Sequence, residues 1–263
     1  MAKKILFFLL AIGLSIIATF IRQFSSPDNL YKAYANINNN IYSFKLPVVR
    51  ESNEVNEKFP IEIYLSDTAV KGKLFYKKLN IKEKWHENNL IRMNDNLIGV
   101  LPFQKPNIKI QYYLELKSNG KTYQVAKNNP VIFRFQGKVT KYILFPYNIL
   151  MFLALIFSCY SGILSIFNLG SFIKYSKVTF YLFLFGALIF GFLVHLISFS
   201  HLFIKIATYN DLTFYKNLLI FIFWLGIYLL NKRIQLRYIT FVISVITLIL
   251  YCIPQNLIIN IFL

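Results

Sequence analysis

The sequence predicts a multi-domain membrane protein. It pairs an all-β immunoglobulin- or fibronectin-like sandwich with an α-helical transmembrane bundle, and it has five spans in total. Three observations predict this. Five apolar stretches have the length of membrane helices. The polar segment between the first two alternates as strands do. Basic residues collect at particular ends of the spans. Composition agrees: the 263 residues are 56% hydrophobic and 15% charged, against roughly 45–50% and about 25% in soluble domains. An ordinary soluble enzyme is therefore not expected. Two cysteines leave no disulfide scaffold and no multi-cysteine metal or iron–sulfur site.

The first element is Ile5 to Ile21, preceded by Lys3 and Lys4. A cleavable signal peptide ends in small residues at defined positions. This run ends Ala18-Thr19-Phe20-Ile21-Arg22, so residues 1–25 read as an uncleaved signal anchor.

Residues 26–141 read as an extracytoplasmic, periplasmic β-sandwich domain, long enough for one core. Ile61, Ile63 and Leu65 alternate with Glu62 and Tyr64, and Leu74 and Tyr76 alternate with lysines and Phe75. Leu97 to Leu101 is a short apolar run closed by Pro102. Ile108, Ile110, Tyr112, Leu114 and Leu116 alternate strictly. Ser118-Asn119-Gly120 supplies a turn, and Lys121 to Ala126 returns as a hairpin partner. Val131, Phe133 and Phe135 give another strand, Ile41 to Val49 an early one, and Pro60, Pro106 and Pro130 mark strand starts. About seven short strands at regular spacing favour a sandwich, with a small open barrel as the alternative.

Residues 142–263 read as a four-span bundle: Ile143–Leu169, Val178–Ile204, Thr213–Leu230 and Tyr238–Ile253. A bilayer core of roughly 30 Å needs about 20 apolar residues of helix. Lys3, Lys4, Lys174, Lys177, Lys232, Arg233 and Arg237 fall on one side if there are five spans. Basic loops stay inside, so the N-terminus is expected in the cytoplasm and the C-terminus outside the inner (cytoplasmic) membrane.

Candidate chemistry is sparse. His86 stands alone in a strand edge or turn. His195 and His201, six apart, face different directions on one helix and do not make a single-helix metal site. Asp211 reads either as an N-cap or, with Thr213 and Lys216, as part of a polar cluster at the outer mouth of the bundle. His195 and His201 join that cluster by position. Lys216 lies one turn into its span, close enough to snorkel, and the span centres carry no charge, which argues against proton or ion translocation. Cys159 and Cys252 lie at different depths and read as unpaired packing residues. Ser158, Ser161, Gly162 and Ser165 form a small-residue stripe, as do Gly186, Ala187 and Gly191, for close helix packing. No phosphate-binding loop, nucleophile elbow or zinc-protease motif occurs. No catalytic, cofactor or metal residue is assigned.

The layout resembles a family of uncharacterised bacterial inner-membrane proteins. The residues that carry the likeness are Gly72-Lys73-Leu74-Phe75-Tyr76-Lys77-Lys78, Gln111-Tyr112-Tyr113-Leu114-Glu115-Leu116 with its hairpin, and Pro130-Val131-Ile132-Phe133-Arg134-Phe135-Gln136-Gly137. They continue with Asp211-Leu212-Thr213, Lys216, Asn217 and Ile253-Pro254. The resemblance implies an N-terminal anchor, an immunoglobulin-like outer domain and a four-span bundle, and no activity. The family often has His after the proline of the second span and of the last. This chain has Tyr147 and Gln255 there, which removes the metal or haem role such histidines would suggest.

The expected function is that of an interaction or scaffold component of a cell-envelope complex, with the outer domain binding another envelope or membrane protein. The alternative is a membrane-embedded enzyme or transport-complex subunit with its site at the bundle mouth. The net charge of +18 does not call for nucleic acid. Seven charges set orientation, the outer domain contributes eight from 18 basic and 10 acidic residues between Asp28 and Lys138, and three lie at the outer interface.

Overall fold

The strictest alternation in the chain becomes its longest strand, Lys109–Ser118. A computed structural model describes residues 2–25, 30–51, 59–79, 81–105, 108–199, 212–231, 234 and 236–253. The described residues fall into two compact units, one of strands and one of helices.

The strand unit contains Leu30–Ile37 (β1), Asn40–Pro47 (β2), Val49–Glu51 (β3), Phe59–Tyr64 (β4), Lys71–Lys78 (β5) and His86–Asn89 (β6). It continues with Ile91–Met93 (β7), Asn96–Leu101 (β8), Lys109–Ser118 (β9), Lys121–Val125 (β10) and Val131–Gln136 (β11). The count exceeds the expected seven because β1, β6 and β7 are short or polar and lack clear alternation, and because the expected Ile41–Val49 strand divides into β2 and β3. β9 is the axis of the largest sheet. β5 pairs along one edge of it, and β11 and β10 divide the other edge between them. β6 extends the sheet beyond β5, and β3 joins β11 in parallel. The other sheets are the hairpin β1-β2 and the three-stranded β4-β8-β7. Among the described residues no sheet closes into a barrel, so the open-barrel alternative is not what forms.

All three sheets contribute to one core. The even positions of β9, Ile110, Tyr112, Leu114 and Leu116, are buried with Phe133 and Phe135 of β11, Ile61 and Ile63 of β4, and Phe44 and Leu46 of β2. Each such side chain contributes roughly 1.5–3 kcal/mol when fully buried. Gly99 permits a close approach: a Cβ there would lie 3.1 Å from Leu74 Cδ2 of β5. Asn119 and Gly120, at φ of 49° and 75°, make the expected left-handed turn between β9 and β10. Pro60 is accepted because β4 lies at a sheet edge. Pro130 precedes β11 as expected, and Pro106 lies outside the described residues.

The helical unit contains Ala2–Phe24 (α1), Lys141–Ile166 (α2), Phe172–Phe183 (α3), a π-helical segment Leu184–Phe190, Gly191–Phe199 (α4), Leu212–Leu230 (α5) and Arg237–Cys252 (α6). Among the described residues three helices are long and apolar enough to cross a membrane: Ala2–Phe24, Lys141–Ile166 and the continuous Phe172–Ser198. Phe214–Leu230 and Arg237–Cys252 are apolar but shorter. Lys174 and Lys177 fall inside α3 rather than in the loop before it, because the helix begins at Phe172 and carries both lysines on its exposed side.

The small-residue stripes do what their spacing predicts. Ser158, Ser161, Gly162 and Ser165 are buried. A Cβ on Gly162 would collide with the Ser244 hydroxyl and come within 2.6 Å of its Cβ. The Ser244 hydroxyl donates 2.9 Å to the Ser158 carbonyl, linking α6 to α2. A Cβ on Gly186 would approach Leu150 Cβ to 3.1 Å. On α1, Ala11, Ser15 and Ala18 form the buried face, and Ala11 and Ala18 cluster with Leu155 and Cys159 of α2 and Tyr251 of α6. Cys159 and Cys252 are both free thiols.

Candidate functional site

Four helix ends bring polar groups together within the helical unit. They are the C-terminus of α1, the early turns of α2 and α5, and the C-terminus of α6. Antiparallel packing makes these the ends that meet. Lys216 is only 8% exposed. Its Nζ donates 2.9 Å to the Ile253 carbonyl, just past the end of α6. The expectation of snorkelling, and of spans without buried charge, is therefore corrected at this residue. The aliphatic stem packs inward because the end of α6 offers the ammonium an acceptor, and the helix dipole adds partial negative charge there.

Asn217, next on α5, donates 2.8 Å from Nδ2 to the Tyr147 hydroxyl. Both side chains are buried. Tyr147 thus serves as a hydrogen-bonding phenol inside the bundle. The Arg22 guanidinium lies 5.0 Å from the centre of the Tyr251 ring in a cation–π contact.

The expected cluster is only partly assembled. His195 is buried, and its ring lies 4.8 Å from that of Phe214, nearly parallel. Lys216 is placed as above. Thr213 lies in the first turn of α5, with its side chain outside the described set, and His201 and Asp211 lie outside the described residues. Sequence reasoning missed Arg22 and Tyr251 and gave Tyr147 and Asn217 no role. The available signal was their shared depth, about one turn from a helix end. Among the described residues no three His, Cys, Asp or Glu side chains group as metal ligands.

The strand unit carries other polar and aromatic features. His86 donates from Nε2 to the Glu83 carboxylate at 2.7 Å and stacks on Tyr76, at an exposed position. That hydrogen bond holds the Glu83 carboxyl below its ordinary range. On the face of β5 and β9 opposite the core, Phe75 and Tyr113 stack at 4.9 Å, with Trp85 edge-on to Tyr113. Lys77 sits over Trp85 and Lys127 over Tyr113, so the rings are largely covered by their own neighbours. A shallow polar hollow of about 310 Å³ lies between Tyr31, Gln124, Lys127 and Asn129.

The outward face of the three-stranded sheet is different. Tyr64 of β4 and Met93 of β7 both pair with Asn96 of β8, and Ile91 pairs with Ile98. Tyr64, Ile91 and Met93 are each more than 60% exposed. The opposite face of the sheet holds the core residues Ile61, Ile63, Leu97 and Leu101. Arg92 points that way too, donating to the carbonyls of Leu65, Asp67 and Val70, which leaves its neighbours Ile91 and Met93 facing out.

No family model matches the chain, and no curated protein and no solved structure matches it.

Proposed function

We propose that this chain is a five-span protein of a bacterial inner membrane, and that its strand unit is an immunoglobulin-like docking module in the extracytoplasmic compartment. In this reading α1 is a retained signal anchor, and α5 and α6 cross the membrane along with the three longer helices. The strand unit binds another membrane or envelope protein. The chain acts as a scaffold component and not as an enzyme.

The observation that carries the docking role is the row Tyr64, Met93, Ile91 on one sheet face. Single exposed apolar residues are ordinary on a protein surface. Three large ones on the two outer strands of one sheet, with the partly buried Ile98 of the central strand on the same face, form the apolar patch that marks interaction surfaces. The layout supports the topology: basic residues with no acid beside them flank alternate helix ends.

The test is co-purification from native membranes in mild detergent. The double substitution Ile91→Lys, Met93→Lys leaves the core side of the sheet untouched. It is expected to leave protein level unchanged and to remove the co-purifying protein. Equal recovery with the double variant, or a wild-type chain that retains no partner, overturns the docking role.

A further inference from the structure

The register of the three-stranded sheet puts one charge inside its apolar outer face. Paired residues on neighbouring strands point to the same side and lie about 5 Å apart. One cross-strand row is therefore Glu62, Ile98, Ile91, and the next is Tyr64, Asn96, Met93. Along β4 the same-side neighbours of Glu62 are Pro60 and Tyr64. Glu62 is exposed, whereas Ile61 and Ile63 on either side of it are buried in the core. The strands β4, β7 and β8 together hold a single acid, Glu62, and a single base, Arg92. Arg92 is turned to the core side and is committed to three backbone carbonyls. Among the described residues no ion pair engages Glu62. The face is thus apolar with one negative charge, on a strand unit that is positive overall, with 18 basic and 10 acidic residues between Asp28 and Lys138.

We propose that the partner of this face is a protein surface that sets a lysine or arginine among apolar side chains, with Glu62 as the group that receives it. The inference rests on the docking role of the same face and names the chemistry of what docks. An apolar patch gains by being covered. Covering this one strips water from the Glu62 carboxylate. A desolvated carboxylate is strongly unfavourable unless a cation and its hydrogen-bond donors replace that water. An exposed ion pair is worth little, but a pair sealed in by Tyr64, Ile91 and Met93 is kept from water and from screening. Glu62 therefore discriminates among apolar surfaces, rejecting those that bring no cation. A second copy of this chain presenting the same face brings another carboxylate, and its one base is turned inward. An anionic membrane surface meets Glu62 with like charge. A basic and apolar protein surface matches both features of the face.

The experiment uses the full chain in its native membranes, with a photoreactive benzophenone side chain in place of Tyr64. Illumination joins that side chain to whatever covers the face, and mass spectrometry of the linked peptide identifies the captured segment. The expected product is a second protein, held through a segment in which a lysine or arginine stands beside apolar residues. Glu62→Gln should lower its yield about tenfold or more, the scale of losing one member of a buried charge pair. Glu62→Lys should abolish it. Replacing the captured lysine or arginine by glutamate should then restore the product with the Glu62→Lys chain. Chain level is measured alongside. If Glu62→Lys lowers it, Glu62→Gln, which keeps the side-chain shape, carries the test. Equal yield with Glu62→Gln, a captured segment without a base, or no restoration by the reciprocal exchange overturns the inference and leaves the docking role standing. A product with lipid or with a second copy of this chain also overturns it. No product from the chain that keeps Glu62 overturns the inference and the docking role together.

Discussion

At the scale of single residues, two positions make sharp tests of the packing. Gly162 faces Ser244 with no room for a methyl group. Gly162→Ala should destabilise the α2–α6 contact by about 1–3 kcal/mol, as overpacking does. Adding Ser244→Gly should restore part of that, read by Trp224 fluorescence on heating. Tyr112 is the second. It is fully buried, and its hydroxyl donates 2.8 Å to the Pro47 carbonyl. Burial pushes its phenol well above the ordinary range. Below the unfolded value of about 10 its contribution is complete. Above it the unfolded chain releases the proton while the folded chain keeps it, so stability falls as pH rises. The melting temperature of the strand unit should therefore drop between about pH 9 and about pH 11. Tyr112→Phe should flatten that drop, at a cost near neutral pH of about 1 kcal/mol for the lost hydrogen bond. The burial of Tyr112 was legible from strict alternation, whereas its partner Pro47, sixty-five residues away, was not.

At the scale of elements, alternation and span length located most strands and every described helix, and the errors have physical causes. β1 was missed although Asn38 and Asn39, at φ of 52° and 67°, make the left-handed two-residue turn that joins β1 to β2. An Asn-Asn pair between apolar runs is a weaker sign of that turn than Asn-Gly. Asn39→Gly should therefore stabilise the chain by a few tenths to about 1 kcal/mol, measured by thermal unfolding. α3 begins six residues before the apolar run that predicted it. Its first two turns place Phe172 and Ser176 inward and Lys174 and Lys177 outward, and such an amphipathic start dilutes mean hydropathy. The π-helical segment Leu184–Phe190 has no sequence mark beyond Gly186 and Gly191, which there allow close approach to α2 and to the Tyr147 ring.

At the scale of the whole molecule, the proposed orientation predicts accessibility. In a Cys159→Ala, Cys252→Ala background, a cysteine placed at Asn129 should react with a membrane-impermeant maleimide in intact cells. One placed at Lys174 should react only after the membrane is opened. The reverse pattern would invert the topology, and labelling of both would remove it. The division between sequence and tertiary structure is clear here. Apolar run length, period-two alternation and the positions of lysine and arginine are local properties, and they were enough to predict helices long enough to cross a membrane, a β-rich segment between the first two, and a preferred orientation. Which helix ends meet, that Lys216 turns to the Ile253 carbonyl instead of to water, and that Ile91 and Met93 face outward beside Tyr64 are not local. Each depends on pairing or packing between residues far apart in the chain, and one sequence carries no record of those distances.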